Sequence, residues 1–237
     1  TFSGASQTYK IAADILNFSS TKYTFTSQSY TFTINKITPT ITYTIAPSNK
    51  TLTYGTKLGN NQLNAVVSVN GVPVTSGSIV YTRSVFNQSL TVSSATELDV
   101  GVHNLYAFYS DPIGNIYNSV NTSTVTTNQL TISRATPTVF FPNIKSILAG
   151  TDLVSLLDYT FASHNSNIVE GVFEFSYVNQ SGATVIIDAL TVLTTPPSTY
   201  TILASFFPMI GTRYNNTSGS TTLRISDQAT TTSAVAK

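Results

Sequence analysis

One signature occurs three times in the chain, and its spacing constrains the fold more than any other feature of the sequence. Each copy has an aromatic-rich stretch, a Tyr or Phe followed by small polar residues, and a Thr- or Ser-rich stretch that includes an isoleucine. The equivalent isoleucines are Ile34, Ile132 and Ile225, at spacings of 98 and 93 residues. This period indicates a tandem array of similar domains, because a unit of this length can bury a core of its own.

Period-two alternation predicts that these units consist of β-strands. At 23–26 and 30–34, Tyr and Phe alternate with Thr, which places the rings on one face of a half-buried strand. Asn70 and Gly71 separate two alternating runs, a strong hairpin signal. Only 152–159 has helical spacing, enough for one short turn. Because an immunoglobulin-like domain has about 100 residues, we predict an all-β fold of tandem immunoglobulin-like antiparallel β-sandwiches.

The Thr-Pro-Thr segments at 38–40 and 136–138 mark the expected domain boundaries, since a residue before proline favours extended conformations. The chain opens at Thr1 without a Met or a leader, so we expect a mature or excised piece of a longer array. We divide it into 1–35, the C-terminal half of a preceding repeat or a strand-exchanging segment; 36–133 and 134–226, two complete sandwiches; and 227–237, a linker or the start of a further repeat.

Three short motifs give the chain a resemblance to a known family. They are Arg-Ala-Thr-Pro-Thr at 134–138, Tyr-Asn-Ser at 117–119 and Leu-Thr-Tyr-Gly-Thr at 52–56. In these motifs the chain resembles the tandem MBG-type bacterial immunoglobulin-like repeats of large surface and adhesin proteins. The resemblance covers 36–140 well, 1–35 fairly and 140–226 loosely, and the last repeat has Ala149-Gly150 in place of Tyr-Gly. It implies an extracellular stalk or adhesin on a cell surface, without an active site.

Composition excludes several classes of function. Charged residues make up 9% of the chain, against about 25% in an average soluble domain. The 11 basic and 10 acidic residues are scattered singly, so a basic stripe for nucleic acid is absent. No apolar stretch approaches the roughly 20 residues of a membrane-spanning helix. The absence of Cys excludes disulfides and thiolate sites. With 40 Thr, 30 Ser and 41% hydrophobic residues, the chain has a neutral polar surface and an ample core.

The titratable residues do not form a pattern that is typical of a catalytic, cofactor or metal site. His103 and His164 lie in polar contexts, and we expect both in solvated loops. No Gly-x-Ser-x-Gly motif is present. We therefore predict a non-enzyme without cofactor or metal. The scattered acids that we considered as calcium ligands and set aside are Glu97, Asp99, Asp111, Glu170 and Glu174. A Lys–Asn cross-link at Lys36 or Lys50 stays open as a minor alternative.

Seven Asn-x-Ser/Thr sequons are candidate N-glycosylation sites. Since 70 of the 237 residues are Ser or Thr, the 19 Asn predict about 5.6 such sequons by chance, so the count reflects composition. The candidate residues are Asn17, Asn49, Asn87, Asn121, Asn179, Asn215 and Asn216.

Six tyrosines raise the question of a sugar-binding aromatic platform. We expect most of them to pack their rings into the core with the hydroxyl at the rim, because they alternate within strands. The absence of Trp also argues against sugar stacking. The six are Tyr43, Tyr54, Tyr81, Tyr106, Tyr109 and Tyr117.

The sequence therefore predicts a non-catalytic structural repeat segment of an extracellular fibre, stalk or adhesin on a cell or virion surface. Its expected partners are neighbouring repeats or copies of itself. Two alternatives remain: a filament or surface-coat subunit, such as a virion fibre or S-layer, that assembles by strand exchange, or a module that binds a host glycan or receptor. We consider strand exchange because part of 1–35 would expose an apolar face if no other strand covered it. The residues of this face are Phe25, Tyr30, Phe32 and Ile34.

Overall fold

The structure is a computed structural model that describes residues 7–13, 21–24, 26–85, 88–113, 116–122, 128–179, 181–189, 191–193 and 198–226. The chain forms two compact units. The first comprises Thr1–Leu52, Lys57–Glu97 and Val102–Thr131, and the second comprises Thr53–Thr56, Leu98–Gly101 and Ile132–Lys237.

Strands β1 (Gln7–Ala13) and β2 (Gln28–Ile34) form an antiparallel two-stranded sheet. Tyr9 lies opposite Phe32, and the two rings stack with their centroids 5.6 Å apart. The strand predicted at 30–34 is thus present. The strand predicted at 23–26 is wrong for its described residues, because Tyr23, Thr24 and Thr26 are not in a strand and the described ladder ends where Ala13 pairs with Gln28. Phe25 lies outside the described residues.

The next strands form two sheets. One has the order β3–β5–β6, and the other has the order β4–β11–β9–β7–β8, with β10 paired to β9. Asn70 and Gly71 form the predicted hairpin turn, with φ of 51° and 80°, the left-handed values that such a turn requires. The strands are β3 (Thr40–Thr42), β4 (Thr51–Thr53), β5 (Val66–Val69), β6 (Val72–Pro73), β7 (Ser78–Val85), β8 (Gln88–Val92), β9 (Gly101–Ser110), β10 (Val120–Asn121) and β11 (Gln129–Ser133).

Alternation along the strands supplies the core. In β9, Leu105, Ala107 and Tyr109 are buried while their neighbours face outward. A 3-10 helix at Pro47–Asn49 precedes β4. The alternating burial in β9 shows how period-two patterning directs apolar side chains to one face of the sheet.

The second unit has the same design. Its sheets have the orders β12–β14–β15 and β13–β19–β18–β16–β17. Their strands are β12 (Thr138–Phe140), β13 (Ser146–Leu148), β14 (Phe161–His164), β15 (Asn167–Val169), β16 (Gly171–Val178), β17 (Thr184–Ile186), β18 (Ser198–Pro208) and β19 (Thr217–Ser226). The chain thus folds as tandem immunoglobulin-like β-sandwiches, as the sequence predicted.

The single predicted helical turn is also present as α1 (Leu153–Leu157). Asp152 caps it by accepting a hydrogen bond from the Val154 N–H at 2.9 Å, and the Ser155 hydroxyl donates to the same carboxylate. These bonds, that of Ser155 first, lower the pKa of Asp152. Leu153 and Leu157 of this helix are buried in the core of the second unit.

Glycine at position 171 allows two strands to approach closely in the second unit. A Cβ atom there would lie 2.4 Å from the carbonyl oxygen of Phe207 and 2.6 Å from ring atoms of Phe206. Phe206 is 1% exposed and packs with Ala162 and Val169, so its ring has little room to move.

Gly171→Ala should therefore destabilise the second unit by about 1–3 kcal/mol through overpacking. Gly211→Ala is the matched control, since a Cβ there meets no heavy atom within 4 Å. Urea unfolding measures the stability of both variants. Equal urea midpoints for Gly171→Ala and Gly211→Ala would contradict the prediction of overpacking.

Candidate functional site

A cluster of hydrogen bonds, which we call the Thr-Pro clip, holds the segment that enters the first sandwich. The Ile37 N–H donates to the Ile116 carbonyl at 3.0 Å, and the Asn118 N–H donates to the Ile37 carbonyl at 2.8 Å. The Asn118 side-chain amide also donates to the Thr38 hydroxyl at 2.8 Å. Pro39, which follows, is buried.

The second unit has an equivalent Thr-Pro clip. The Ala135 N–H donates to the Arg213 carbonyl at 3.0 Å, and the Asn215 N–H donates to the Ala135 carbonyl at 2.8 Å. The Asn215 side chain donates to the Thr136 hydroxyl at 3.1 Å. Pro137 is buried as well.

The clips give a physical reason for two sequence motifs. The Tyr-Asn motif and the Thr-Pro motif lie about 80 residues apart in each repeat, yet Asn118 and Asn215 join them through the same three bonds. The Thr-Pro segments were predicted only as domain boundaries, so Thr38 and Thr136 were missed as partners of the asparagines. The recurrence of both motifs at one spacing was the signal that could have found them.

A second repeated contact joins an early strand to the last strand. In the second unit, Arg224 N–H donates to the Lys145 carbonyl at 3.0 Å and Ala149 N–H donates to the Ser226 carbonyl at 3.1 Å. From the first bond to the second, the residue numbers increase on both strands, because β13 and β19 pair in parallel. This pair departs from the antiparallel pattern of the surrounding sheet.

Strands β4 and β11, adjacent in their sheet, have the same bonding pattern. The Thr131 N–H donates to the Lys50 carbonyl and the Tyr54 N–H donates to the Ser133 carbonyl, both at 2.8 Å. Lys50 and Lys145 are thus equivalent, and similar sequences follow them, Thr-Leu at 51–52 and Ser-Ile at 146–147.

The turn after each of these strands is equivalent too. Gly55 and Gly150 have φ of 81° and 85°, a left-handed conformation that favours glycine. Thr56 N–H donates to the Thr53 carbonyl at 3.0 Å, and Thr151 N–H donates to the Leu148 carbonyl at 3.2 Å. The glycines therefore recur because the turn requires them.

Three of the six tyrosines pack into the first unit as the sequence predicted. Tyr43 and Tyr109 are buried, and their hydroxyls donate to the Gln62 and Ser76 carbonyls at 2.7 and 3.2 Å. The Tyr81 hydroxyl accepts from the Ala65 N–H at 2.9 Å. Burial raises the pKa of all three phenols. These side chains do not form a surface platform.

The other three tyrosines are half-buried and lie in different places. Tyr117 belongs to the backbone bridge with Ile37, and Tyr106 lies on an outer sheet face. Tyr54 makes an edge-on contact with Tyr214 at 5.4 Å in the second unit.

A cluster of charged and aromatic side chains surrounds Tyr54 within the second unit. The Arg213 guanidinium lies 5.2 Å from the Tyr54 ring centroid and forms an ion pair with Asp99 at 2.8 Å. Hydrogen bonding to Asp99 raises the pKa of Arg213. His164 Nε2 is 3.0 Å from the Tyr54 carbonyl oxygen. Because the ion pair is well exposed, its contribution to stability is small.

Both histidines depart from the loop prediction, because each lies on a strand. His103 belongs to β9, with Nδ1 3.5 Å from Arg83 Nη1, and His164 belongs to β14. Both are half-buried. The loop prediction was based on the polar residues next to each histidine in sequence. A sheet face that borders solvent accepts such residues equally well.

The acids that the sequence analysis considered have different environments. Asp111 is buried and accepts from the Ile116 N–H at 3.3 Å, while Glu97, Glu170 and Glu174 are exposed. The described residues contain no group of three or more His, Asp or Glu that could hold a metal ion. No described helix is long and apolar enough to cross a membrane. The cross-link candidates Lys36 and Lys50 are half-buried.

The sequon asparagines differ in their hydrogen bonds and in their exposure to solvent. The Asn179 carboxamide oxygen accepts three bonds from Ser181 and Ala183, and Asn215 belongs to a Thr-Pro clip. Asn49 is half-buried, while Asn121 and Asn216 are exposed. Asn17 and Asn87 lie outside the described residues.

The outer face of β7, β8 and β9 has an open concavity of about 540 Å³. Phe108 and Val80 are 41% and 39% exposed on its floor. Hydroxyl and amide side chains surround them. The lining residues are Val80, Thr82, Ser84, Gln88, Ser89, Tyr106, Ala107, Phe108 and Asn121.

No family model matches the sequence, and no curated protein matches it. Fibronectin(III)-like modules of Clostridium thermocellum CbhA match at 12% identity over 80% of this chain and 94% of theirs, with a TM-score of 0.27. Drosophila N-cadherin EC1-3 matches at 12% over 85% and 73%, with a TM-score of 0.31. Three N-terminal domains of the Highly Immunogenic Outer Capsid protein of bacteriophage RB49 match at 10% over 86% and 75%, with a TM-score of 0.26.

TM-scores of this size carry no argument about function. The assignment to immunoglobulin-like sandwiches rests on the strand orders and registers described above. The resemblance to MBG-type repeats has no matching family model behind it.

Replacing Asn118 or Asn215 with Ala should lower the free energy of unfolding of the affected unit by about 0.5–1.5 kcal/mol, because the amide loses its bond to a threonine hydroxyl. Asn143→Ala is the control, because Asn143 is exposed and outside both clips. Urea unfolding monitored by tyrosine fluorescence measures the differences. Stabilities equal to that of the control would contradict the role of the clips.

Stability should fall as the pH rises above about 10, the ordinary pKa of Tyr. The folded state retains protons on Tyr43, Tyr81 and Tyr109 that the unfolded chain releases, so alkaline pH favours unfolding. Below pH 10 this contribution is fully present.

Tyr43→Phe tests this pH dependence. At pH 7 the variant should be less stable by about 1 kcal/mol, because it loses the hydroxyl bond to Gln62. Above pH 10 the deficit should shrink, because the variant has one buried phenol fewer to ionise. Urea unfolding from pH 7 to 11 measures it, with the exposed Tyr159→Phe as control. A deficit that stays constant with pH would be evidence against this linkage.

Proposed function

We propose that this chain is a non-catalytic structural segment of an extracellular fibre, stalk or adhesin, built of MBG-type repeats and exposed on a cell or virion surface. The observation that carries the proposal is the parallel pairing of an early strand with the last strand, made by the same backbone bonds in 50–54 and 145–149. Its partners would be neighbouring repeats.

The parallel pair suits a segment under tension. In the second unit the chain enters β13 at one end of the sheet and leaves β19 at the opposite end, because the two strands run in the same direction. Pulling on the two termini then slides β13 along β19. The bonds from Arg224 and Ala149 are stretched together rather than one after another. This arrangement resists extension better than a pair that opens from one end.

The Thr-Pro clips act on the segments that enter the sandwiches. Asn118 holds Ile37 and Thr38, and Asn215 holds Ala135 and Thr136, so the backbone before each sandwich is fixed to the turn preceding its last strands. Buried Pro39 and Pro137 restrict these segments further. The low charge and the abundance of Thr and Ser also suit an exposed segment with few ionic contacts.

Single-molecule stretching of the intact chain tests the mechanical role. We expect two separate unfolding events, and the one from 134–226 should lengthen the chain by about 300 Å, given about 3.3–3.6 Å per extended residue. Ala149→Pro should lower the rupture force of one event and leave the other unchanged, because proline removes the N–H that bonds to Ser226.

Ala149→Ser is the matched control, since it keeps this N–H, and its two rupture forces should equal those of the unmodified chain. Rupture forces that do not change in Ala149→Pro would contradict the mechanical proposal.

A glycan- or receptor-binding module is the second candidate, and the concavity on β7, β8 and β9 favours it. Its mixture of Phe108 and Tyr106 with hydroxyl and amide groups could contact a sugar face and its hydroxyls. Binding of the intact chain to a glycan array, lost in Phe108→Ser, would support this role.

A further inference from the structure

The β1–β2 hairpin has the same register as the central strand pair of the second unit. In β1–β2, Tyr9 lies opposite Phe32. In β18–β19, Tyr200 lies opposite Leu223. The sequence repeat makes Tyr9 equivalent to Tyr200 and Phe32 equivalent to Leu223, so the structure pairs the residues that the repeat aligns.

The neighbouring pairs agree as well. Ile11 lies opposite Tyr30 as Ile202 lies opposite Thr221, two residues later on β1 and β18 and two residues earlier on β2 and β19. The hairpin therefore has the pairing of a sandwich's two central strands, rather than that of an unrelated extension.

Burial differs sharply between the two pairs. Ile202 is 0% exposed in the core of the second unit, whereas its equivalent Ile11 is 56% exposed. Tyr30, on the same face as Ile11, is 70% exposed. In the second unit, Ile202 belongs to a core that includes buried residues from the front half of the repeat, the part before β18: Ile147, Leu153, Leu157, Ile187 and Leu193.

The strand edges differ in the same way. In the second unit, β19 has β13 as a parallel neighbour, and β18 has β16 as an antiparallel neighbour. Among the described residues, β1 and β2 have only each other in their sheet. A two-stranded sheet is marginally stable in water, so its edges and apolar face favour further strands.

We propose that β1–β2 is the acceptor for the front half of an immunoglobulin-like repeat, carried by the same polypeptide ahead of Thr1. That half adds one strand parallel to β2, as β13 is to β19, and one antiparallel to β1, as β16 is to β18. Its apolar side chains cover Ile11 and Tyr30. The completed unit would have the same sheet order as the second unit.

A second copy of this chain fits the hairpin less well. Two hairpins related by a two-fold axis can join β1 to β1 or β2 to β2 only in antiparallel fashion, so they do not supply the parallel neighbour of β2. The front-half strands of the described sandwiches already pair within their own sheets. A front half ahead of Thr1 supplies both edge strands and the apolar cover together.

The inference rests on the proposed function, because it assumes a longer array of repeats. The experiment measures hydrogen exchange by mass spectrometry on the native polypeptide and on the 237-residue chain, with the intact mass of the native form. We expect a native mass above 25.4 kDa and exchange in β1–β2 about as slow as in β18–β19. In the 237-residue chain, exchange in β1–β2 should be at least about 1000-fold faster.

Two variants of the native polypeptide test the apolar face. Ile11→Lys should abolish the slow exchange of β1–β2, whereas Ser29→Lys, on the opposite face and across from Ala12, should retain it. Exchange in β18–β19 of the same sample reports whether the rest of the chain remains folded.

Three results would overturn the inference: a native mass of 25.4 kDa, fast exchange of β1–β2 in a longer native chain, or slow exchange in the 237-residue chain that appears only as it self-associates. The last result would identify a second copy as the occupant. None of them alters the rupture forces expected for the described sandwiches, so failure here is distinguishable from failure of the mechanical proposal.

Discussion

In each sandwich, the pairing of the last strand with an early strand of the same unit determines how the rest can be arranged. Once Arg224 and Ser226 bond to the segment at 145–149, β19 is fixed between β13 and β18 in the sheet. The chain between them must then supply the α1 turn, which packs with Ile202 and Ile225, and the other sheet, whose Ala162 and Val169 pack with Phe206. Strands β4 and β11 make the same bonds at Lys50 and Tyr54, and their sheet has the same order.

The β1–β2 hairpin differs from the sandwiches in lacking this arrangement among the described residues. Its two strands pair in the same register as the central strands β18 and β19 of the second unit. Among the described residues, however, no early strand pairs with β2 and no layer covers Ile11. The contrast between Ile11 and Ile202 is one of environment, since the two side chains are identical and occupy equivalent positions. An apolar residue is buried only if another layer packs against its face.

Polar side chains specify the ends of the sandwiches where apolar packing does not. Asn118 and Asn215 join segments about 80 residues away in sequence through one side-chain bond and two backbone bonds. Each bond is modest in energy, but together they fix the path of the chain into the sandwich. The wealth of Thr in this sequence thus has a local structural role at Thr38 and Thr136, besides its suitability for strands.

Alternation along the sequence was sufficient to predict the strand at 30–34 and the Asn70-Gly71 turn, and helical spacing was sufficient to predict the α1 turn, because these depend on local geometry and on side-chain period. Tertiary structure decided what lies opposite each strand. Among the described residues, Tyr23 and Thr24 are not in a strand despite their pattern, whereas His103 and His164 lie on strands. Tertiary structure also brought Asn118 to Thr38, since a bond between residues so distant in sequence exists only after the sheets have formed.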